Sequence, residues 1–543
     1  MKRRSFLHAS SLAAAAAALS PAVAFAQSTR AGGPTNIVET TSGRVRGLFF
    51  QGVNTFRGIP YGASTAGPNR FLSPRKPQSW TGVRDVNTIG LRAPQLANPR
   101  VPEWFVFDRS EPQGEDCLVL NVFTPSVNDG RKRPVMVWLH GGGFVAGSAG
   151  FTVYEGQNLV SMRDVVLVHL NHRLNLFGFL YLGDLGGERY ADGNAGMLDI
   201  VAALEWIRDN IANFGGDPGN VTVFGQSGGG SKVSTLFGMP SAKGLFHRAI
   251  AMSGTQVRSI TREQATKTAT RVLASLNLGT AGPAGGQLDK ARLDELQAVP
   301  MRRLRDLLNG AGAQGFNWGP VVDGRTLPAH PFDPAASPYG ADVPLLIGST
   351  ETEVTWNESQ IYDPLSDAEL REDVSKALRC DATGADRVIA TYRARRPSAS
   401  NLDLYLIIAT DASNFRTGTD TQADRKAAQR RAPVYKYYFQ WYSPVRGGVL
   451  RAMHTMDIPF VFENYELASV EVGSGPELKP LGDRMAGAWV AFATSGNPNH
   501  PLVPKWPAYD TTTRATMVIN NDWSVVNDPY GEEKRTVAAV TRG

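Results

Sequence analysis

Residues 221–238 constrain the fold of this chain more than any other stretch, because they lead from strand-like to helix-like sequence through a very short turn. They read VTVF-GQSGG-GSKVSTLFG. Apolar, β-favouring residues come first, then glycines that permit positive φ and close backbone contacts, and then a segment compatible with a helix. A strand joined to a helix in this way predicts an α/β sheet covered by helices.

Glycine-rich turns of this kind serve two chemistries, phosphate binding and the presentation of a nucleophile. The P-loop motif needs a lysine directly after its last glycine, but here a serine separates Gly230 from Lys232. The dinucleotide fingerprint also fails, because Gln226 and Ser227 follow Gly225. The same three residues and the two glycines after them fit G-x-S-x-G, the nucleophile elbow. This pattern makes Ser227 the candidate nucleophile.

Four further apolar runs have the length and composition of buried strands. Residues 193–214 carry apolar side chains at helical spacing, and residues 214–220 (FGGDPGN) are expected to form a turn. Helices that alternate with such strands predict a central, mostly parallel sheet, in one α/β domain with large insertions rather than three domains. The predicted strands are VMVWL (135–139), VVLVHL (165–170), VTVF (221–224), PLLIG (344–348) and VYKYYF (434–439).

The N-terminus has the pattern of a secretory signal. A basic start leads into an apolar, alanine-rich stretch, and residues 24–26 (AFA) supply an A-x-A cleavage site. Residues 3–7 (RRSFL) resemble a bacterial twin-arginine signal, and the apolar stretch is too short to span a membrane well. We therefore expect a twin-arginine signal peptide at 1–26, a single domain at 27–543, and a periplasmic or secreted location in a bacterium.

Charge and cysteine usage argue against several classes of function. The chain has a formal net charge of +6, and removal of the predicted signal leaves 53 basic and 50 acidic residues, a net charge of +3. So small a charge does not indicate binding to nucleic acid or to a membrane surface. The two cysteines, Cys117 and Cys380, form no CxxC motif or Cys/His cluster, so we expect neither a disulfide framework nor a zinc site.

A nucleophilic serine needs a base, and chain order decides among the histidines. In enzymes built around this elbow the order is serine, acid, histidine. That order excludes the histidines before Ser227, and His247 lies only twenty residues after it. His500 lies in a turn-rich segment typical of a solvated loop, and His330 precedes the best acid candidates. His454, in a loop just before an apolar run, is therefore the predicted base.

The orienting acid is expected just past the end of a core strand, where a carboxylate can reach Nδ1 of the histidine. The segment PLLIGSTETE places both Glu351 and Glu353 there. The residues alone do not separate these two candidates. The alternative is that both are solvated glutamates on a loop.

The oxyanion hole is expected from backbone N–H groups, one after the nucleophile and others in an earlier glycine-rich loop. The segment VMVWLHGGGF ends a predicted strand and then turns through Gly141, Gly142 and Gly143. Glycine allows successive amides to point at one oxygen. A plain turn is the alternative, but this loop together with a downstream elbow is a specific combination.

These motifs and several other blocks resemble the type-B carboxylesterases, the family that includes cholinesterases and bacterial para-nitrobenzyl esterases. The resemblance covers nearly the whole chain after the predicted signal. The blocks are TFRGIPYG (55–62), EDCLVLNV (115–122), HGGGF (140–144), NHRLNLFGFL (171–180), GNAGMLDIVAALEWIRDNIANFGGDP (193–218), GQSGG (225–229), GPVVDG (319–324), HTMDIPFVF (454–462) and FATSGNPN (492–499).

The resemblance implies an α/β-hydrolase fold and hydrolysis of small-molecule carboxylic esters through an acyl-enzyme, with no cofactor or metal. It also places the family's acid at the second of the two glutamates. The same chemistry on a lactone, thioester or activated amide is one alternative, and a non-catalytic binding protein that keeps the fold is another. The implied site residues are Ser227, His454 and Glu353, with Gly142, Gly143 and Gly228 as oxyanion donors.

The chain departs from the family pattern at several of these positions. Gln226 stands where the family has a glutamate, which removes a charge beside the nucleophile. Thr352 and Val354 flank the implied acid in place of Asp and Gly, and His172 replaces a tyrosine. Family members commonly link the equivalent of Cys117 to an upstream cysteine, but this chain has none there.

Aromatic residues near these motifs are candidates for the substrate-binding wall. Trp104 and Phe105 lie in PEWFVF (102–107), within the loop that lacks the disulfide, and Phe144 follows the glycine loop. The first segment is predicted to form an aromatic wall or lid. Packing of Trp104, Phe105 and Phe107 in the core is the alternative.

Overall fold

The computed structural model of the chain describes residues 33–96, 111–279, 288–309, 316–357 and 364–541. The predicted signal peptide, Trp104 and Phe105 lie outside the described residues. The strands are β1 Gly33–Pro34, β2 Val38–Thr40, β3 Gly43–Arg46, β4 Leu48–Phe50, β5 Val53–Pro60, β6 Val83–Asp85, β7 Val119–Thr124, β8 Arg133–Leu139, β9 Val166–Leu170, β10 Gly216–Gln226, β11 Arg248–Met252, β12 Ile260–Thr261, β13 Val321–Val322, β14 Leu345–Thr350, β15 Val434–Phe439, β16 Ala515–Ile519 and β17 Ser524–Asn527. The helices are α1 Gln157–Met162, α2 Asn175–Phe179, α3 Gly183–Gly186, α4 Ala195–Asn210, α5 Gly228–Leu236, α6 Arg262–Ser275, α7 Lys290–Ala298, α8 Met301–Asp306, α9 Asp367–Leu378, α10 Ala382–Arg395, α11 Asn401–Ala412, α12 Asn414–Ala428, α13 Ile458–Val461, α14 Ser469–Val472, α15 Leu478–Ser495 and α16 Gly531–Val540.

In the described part of the chain, twelve strands form one large sheet in the order β1-β4-β5-β7-β9-β8-β10-β11-β14-β15-β16-β17. The strands from β9 to β16 in this order are parallel to their neighbours, and the strands outside them are antiparallel. The five strands predicted from the sequence correspond to β8, β9, β10, β14 and β15. The predicted mostly parallel sheet flanked by helices is therefore confirmed.

Side-chain alternation along β8 shows how the sheet builds a core on both faces. Val135 and Val137 belong to one buried cluster, which includes Leu204 of α4. Met136 and Trp138, which point the other way, belong to a second cluster with Trp489 of α15. Successive residues of a strand face opposite sides, so an uninterrupted apolar run is what a sheet covered on both faces requires.

The prediction of a turn through residues 214–220 is wrong at its boundary with β10. This strand already begins at Gly216, which pairs with Arg133 of β8. The register then shifts before Val221 pairs with Val135. The turn residues of this segment are therefore accommodated as an irregularity within the strand pairing, after which regular parallel pairing continues to the elbow.

The parallel arrangement brings three separate chain segments to one edge of the sheet. Because β8, β10, β11 and β14 are successive parallel neighbours, their carboxyl ends lie together. His140 follows β8, Ser227 follows β10, and Glu353 lies just beyond β14. Ligand sites in open α/β sheets lie outside the carboxyl ends of the strands. Across the described ranges, every helix is too short or too polar to cross a membrane.

Candidate active site

Ser227 lies in a strained turn between β10 and α5. Its φ and ψ are 58° and −125°, a combination that costs a non-glycine residue about 1–3 kcal/mol. Its N–H donates to the carbonyl oxygen of Met252 at 2.8 Å. A Cβ at Gly229 would lie 1.9 Å from the carbonyl oxygen of Leu139, and one at Gly254 would lie 1.8 Å from that of Ser227. The glycines therefore let neighbouring segments close around the turn and keep the serine in this conformation.

The glycine loop after β8 contacts the first residue of α5. Gly142 and Gly143 have φ values of 87° and 63°, and the amides of Val145 and Ala146 donate back to the carbonyl oxygen of Gly142. A Cβ at Gly228 would lie 2.4 Å from the nitrogen of Gly143, so the two backbones are in contact. Within the described ranges, the N–H groups of Gly142, Gly143 and Gly228 donate to no protein acceptor. They are thus available to an oxygen beside Ser227.

Glu353 and His454 form a buried pair. Oε2 of Glu353 lies 2.5 Å from Nδ1 of His454, and Oε1 accepts the N–H of Thr350 at 2.7 Å. The glutamate is fully buried, and the histidine is only 4% exposed. The segments that carry them are joined next to the pair, where the N–H of Thr352 donates to the carbonyl oxygen of Ala452. Both carboxylate oxygens are therefore fixed, one by the backbone and one by the imidazole.

The second glutamate of the segment has a different environment. Oε1 of Glu351 accepts a hydrogen bond from Gln440 at 2.8 Å and lies 3.8 Å from the guanidinium of Arg396. Burial raises the pKa of Glu351. Of the two glutamates that the residues alone left open, Glu353 is the one that contacts His454.

Gln226 links the elbow to the histidine. Its Nε2 lies 3.3 Å from Nδ1 and 3.3 Å from Nε2 of His454. A Cβ at Gly141 would lie 3.5 Å from both the side-chain oxygen of Gln226 and Cβ of Ser227. The serine, the histidine and the start of the glycine loop therefore belong to one site.

The N-terminus of α12 supplies two residues that sequence reasoning missed. The ring centroid of Phe415 lies 4.6 Å from that of His454. The guanidinium of Arg416 donates to Oγ of Ser349 at 2.5 Å and to the carbonyl oxygen of Thr350 at 2.8 Å, at the end of β14. No motif marks these residues, because their role depends on packing between segments 39 to 67 residues apart in the chain.

Asp457 is a second buried carboxyl group near the pair. Burial raises its pKa to about 7, and the charge of Glu353 adds to this effect, while the hydrogen bond from the hydroxyl of Tyr437 partly offsets it. That hydrogen bond is 2.8 Å long. Burial therefore favours the neutral form of the Asp457 carboxyl group beside the pair.

The other histidines after Ser227 bind main chain. Nδ1 of His330 accepts the N–H of Ser259 at 3.1 Å. Nε2 of His500 lies 3.0 Å from the carbonyl oxygen of Arg484, and its ring is half-buried. Within the described residues, neither forms a hydrogen bond with the elbow, whereas His454, the histidine that chain order selects, contacts Gln226.

Phe144 packs beside the glycine loop, with its ring centroid 5.2 Å from that of Phe179. It is 9% exposed. Cys117 is buried, and no disulfide joins it to Cys380. The predicted aromatic partners Trp104 and Phe105 lie outside the described residues.

Comparison with known proteins assigns the family. The model of the carboxylesterase family matches residues 34–537. The chain belongs to this family. The predicted family and fold are confirmed, and the protein is a carboxylesterase.

Individual relatives and solved structures agree with this assignment. The chain is 36% identical to a para-nitrobenzyl esterase of Bacillus subtilis over 92% of its own length and 98% of the relative. It is 31% identical to the phenmedipham hydrolase of Pseudarthrobacter oxydans, over 90% and 96% of the two chains. A solved esterase of Clostridium hathewayi that hydrolyses aliphatic aromatic polyesters superposes with a TM-score of 0.79 at 33% identity, covering 93% of this carboxylesterase and 98% of the other chain.

Proposed function

We propose that this carboxylesterase hydrolyses small-molecule esters through a triad of Ser227, His454 and Glu353 and an acyl-enzyme intermediate. The serine hydroxyl gives its proton to Nε2 of the histidine as its oxygen attacks the ester carbonyl carbon. Collapse of the tetrahedral intermediate breaks the ester C–O bond, and the imidazolium protonates the leaving alcohol. Water then attacks the acyl-enzyme in the same way, which releases the carboxylic acid and restores the serine.

The contact between Glu353 and His454 carries this proposal. A carboxylate 2.5 Å from Nδ1 keeps that nitrogen protonated, which leaves Nε2 as the base. It also stabilises the imidazolium that forms when the serine gives up its proton. The pair also lies beside Gln226, the residue directly before Ser227.

The N–H groups of Gly142, Gly143 and Gly228 are proposed to bind the tetrahedral oxyanion. Their support is the contact between the glycine loop and the first residue of α5, together with the absence of a protein acceptor for these three groups within the described ranges. Loss of one oxyanion donor reduces kcat by about 10²–10³ in other hydrolases. Phe144, directly after this loop, is proposed to form part of the apolar wall around the substrate.

The relatives suggest the first substrates to assay. One is named for para-nitrobenzyl esters and another for the hydrolysis of phenmedipham. We therefore propose esters with an aromatic group as substrates, and para-nitrophenyl and para-nitrobenzyl esters as the chromogenic set.

A fluorophosphonate tests the nucleophile directly. The purified protein is treated with the reagent, its intact mass is recorded, and the adduct is mapped by peptide mass spectrometry. We expect one adduct, on Ser227, and none in Ser227→Ala, which should also lose ester hydrolysis. A native protein that takes up no reagent and hydrolyses none of the esters would overturn the triad and favour a non-catalytic binding protein.

Export by the twin-arginine route is a separate proposal, supported by the sequence of residues 1–26. Replacement of Arg3 and Arg4 by lysine should leave the protein in the cytoplasmic fraction, while the unchanged chain is recovered from the periplasm or the medium. Equal export of both forms would contradict the proposal.

A further inference from the structure

A lysine is fully buried behind the proposed oxyanion loop. Lys232 lies on α5, five residues after the nucleophile, and its side chain is 0% exposed. Its Nζ donates to the carbonyl oxygen of His140 at 2.8 Å. Across the described ranges, no carboxylate forms an ion pair with it, and burial lowers its pKa to about 7. A buried amine without a counter-ion costs folding free energy that an apolar side chain would not.

The surroundings of Lys232 are apolar or neutral. Its Nζ lies 5.7 Å from the ring centroid of Phe144. The rings of His140 and His172 stack at 5.1 Å with an interplanar angle of 18°. Burial, with a contribution from the lysine charge, lowers the pKa of both histidines well below the usual value. Both rings are therefore neutral at pH 7 and add no positive charge beside the amine.

This lysine connects the two backbone segments that would form the oxyanion hole. One is the first turn of α5, which carries Gly228, and the other is the loop that starts at His140 and continues through Gly142 and Gly143. The first turn of α5 already packs on the end of β8, since a Cβ at Gly229 would lie 3.2 Å from the carbonyl oxygen of His140. The lysine binds that same carbonyl from the next turn of the helix.

We propose that Lys232 is a positioning residue of the oxyanion hole, which fixes the glycine loop against the nucleophile helix by holding the carbonyl group of His140. The inference rests on the proposed function, because it assumes that Gly142 and Gly143 donate to the oxyanion. Without the hydrogen bond, the loop gains freedom relative to Ser227, and the donors no longer have a fixed distance to the oxygen of the tetrahedral intermediate. Catalysis depends on donors that are already in place when that charge develops.

The variant Lys232→Met tests this in the full chain, because it keeps an unbranched apolar side chain and removes the donor. We expect kcat for a para-nitrophenyl ester to fall by about tenfold to a hundredfold. This reduction is no larger than the one caused by removal of one oxyanion donor. We expect KM to stay within about twofold. The Ki of a trifluoromethyl ketone, which forms a hemiketal oxyanion on the serine, should rise in parallel. The Ki of the matching secondary alcohol, which forms no such oxyanion, should not change.

Ser234→Ala is the matched control. Ser234 is equally buried on α5, but its hydroxyl donates to the carbonyl oxygen of Gly230 in its own helix at 2.8 Å. It should leave kcat and both Ki values within about twofold. If circular dichroism and thermal melting show that Lys232→Met does not fold, Lys232→Gln replaces it. Its amide nitrogen is one atom closer to the backbone, and the side chain is therefore too short to reach the carbonyl oxygen of His140. We expect the same fall in kcat.

The two proposals fail in different ways. An unchanged protein that neither binds fluorophosphonate at Ser227 nor hydrolyses esters would overturn the proposed function. An unchanged protein that does both, with a folded Lys232→Met variant that retains its kcat and its trifluoromethyl ketone Ki, would overturn only the role of Lys232. A rise in both Ki values together would also overturn it, because that outcome indicates general damage to the site.

Discussion

The side-chain nitrogen of Gln226 lies 3.3 Å from each of the two ring nitrogens of His454. Both residues are buried, so solvent screens their interaction only weakly. An amide is neutral at every pH, and it neither stabilises the imidazolium by charge nor competes with Glu353 as a carboxylate. The position beside the nucleophile is therefore one where a single substitution changes the charge next to the proposed base without changing the size of the side chain.

Gln226→Glu should move the acidic limb of the kcat/KM profile to higher pH, because a second carboxylate beside the proposed base favours its protonated form. The proposed base acts in its neutral form, so activity should fall on the acidic side of the profile. We expect little change on the alkaline plateau. The pH profile with a para-nitrophenyl ester measures it. Gln226→Met, which adds no charge, should leave the limb in place, and a shift of Gln226→Glu toward lower pH would contradict the argument.

Glu353→Gln should lower kcat by about 10³–10⁴, because the amide cannot stabilise the imidazolium and favours the wrong tautomer. Glu351→Gln is the matched control, because it makes the same chemical change two residues earlier. The side chain of Glu351 binds Gln440 and lies near Arg396, whereas that of Glu353 contacts His454. We expect its kcat to stay within about fivefold of the unchanged enzyme. Steady-state kinetics on both variants decides between the two glutamates, and equal losses would refute the assignment.

Local sequence predicted the parts of this site that depend on local backbone geometry. Ser227 lies at positive φ, and a Cβ at Gly229 would lie 1.9 Å from the carbonyl oxygen of Leu139. The turn therefore needs glycine at fixed positions, so the elbow can be seen in the sequence. The same is true of the loop at Gly142 and Gly143. The apolar runs of β8 and β9 were predictable because both faces of the sheet are covered.

The sequence did not separate Glu351 from Glu353, and the fold shows why. Strand β14 ends at Thr350 and a 3-10 turn begins at Glu353, so the two glutamates do not continue one strand and face different surroundings. Phe415, Arg416 and the contact of Lys232 depend on which helix packs on which strand end. That information is spread over the whole chain, and no short motif contains it.

Arg416→Lys should lower kcat by about tenfold although it keeps the positive charge. The planar guanidinium binds Ser349 and the carbonyl oxygen of Thr350 together, and the N–H of Thr350 in turn holds Glu353. An ammonium group cannot reproduce this pair of contacts. A double-mutant cycle with Glu353→Gln checks it: Arg416→Lys should have little further effect once the carboxylate is gone. Full additivity of the two losses would show that the arginine acts elsewhere.

Lys232→Met should stabilise the protein most at low pH. Burial lowers the pKa of Lys232 from 10.5 to about 7. Between these values the unfolded chain binds the proton and the folded chain does not, so the stability of the unchanged protein rises with pH across this interval. Below about pH 7 the folded protein carries the buried charge at its full cost, which is on the order of a few kcal/mol. Above pH 10.5 both states are neutral and the cost disappears.

Thermal melting of both proteins at pH 6, 8 and 10 measures this effect. We expect the Tm of Lys232→Met to exceed that of the unchanged protein at pH 6, and the difference to shrink steadily toward pH 10, where the lost hydrogen bond to His140 is the main remaining change. Ser234→Ala should show a difference that does not depend on pH. A difference for Lys232→Met that is constant or grows with pH would mean that Lys232 keeps its proton with a balanced charge in the folded protein. Higher stability and lower kcat in the same variant would show that the enzyme retains a destabilising lysine because it fixes the position of the oxyanion loop.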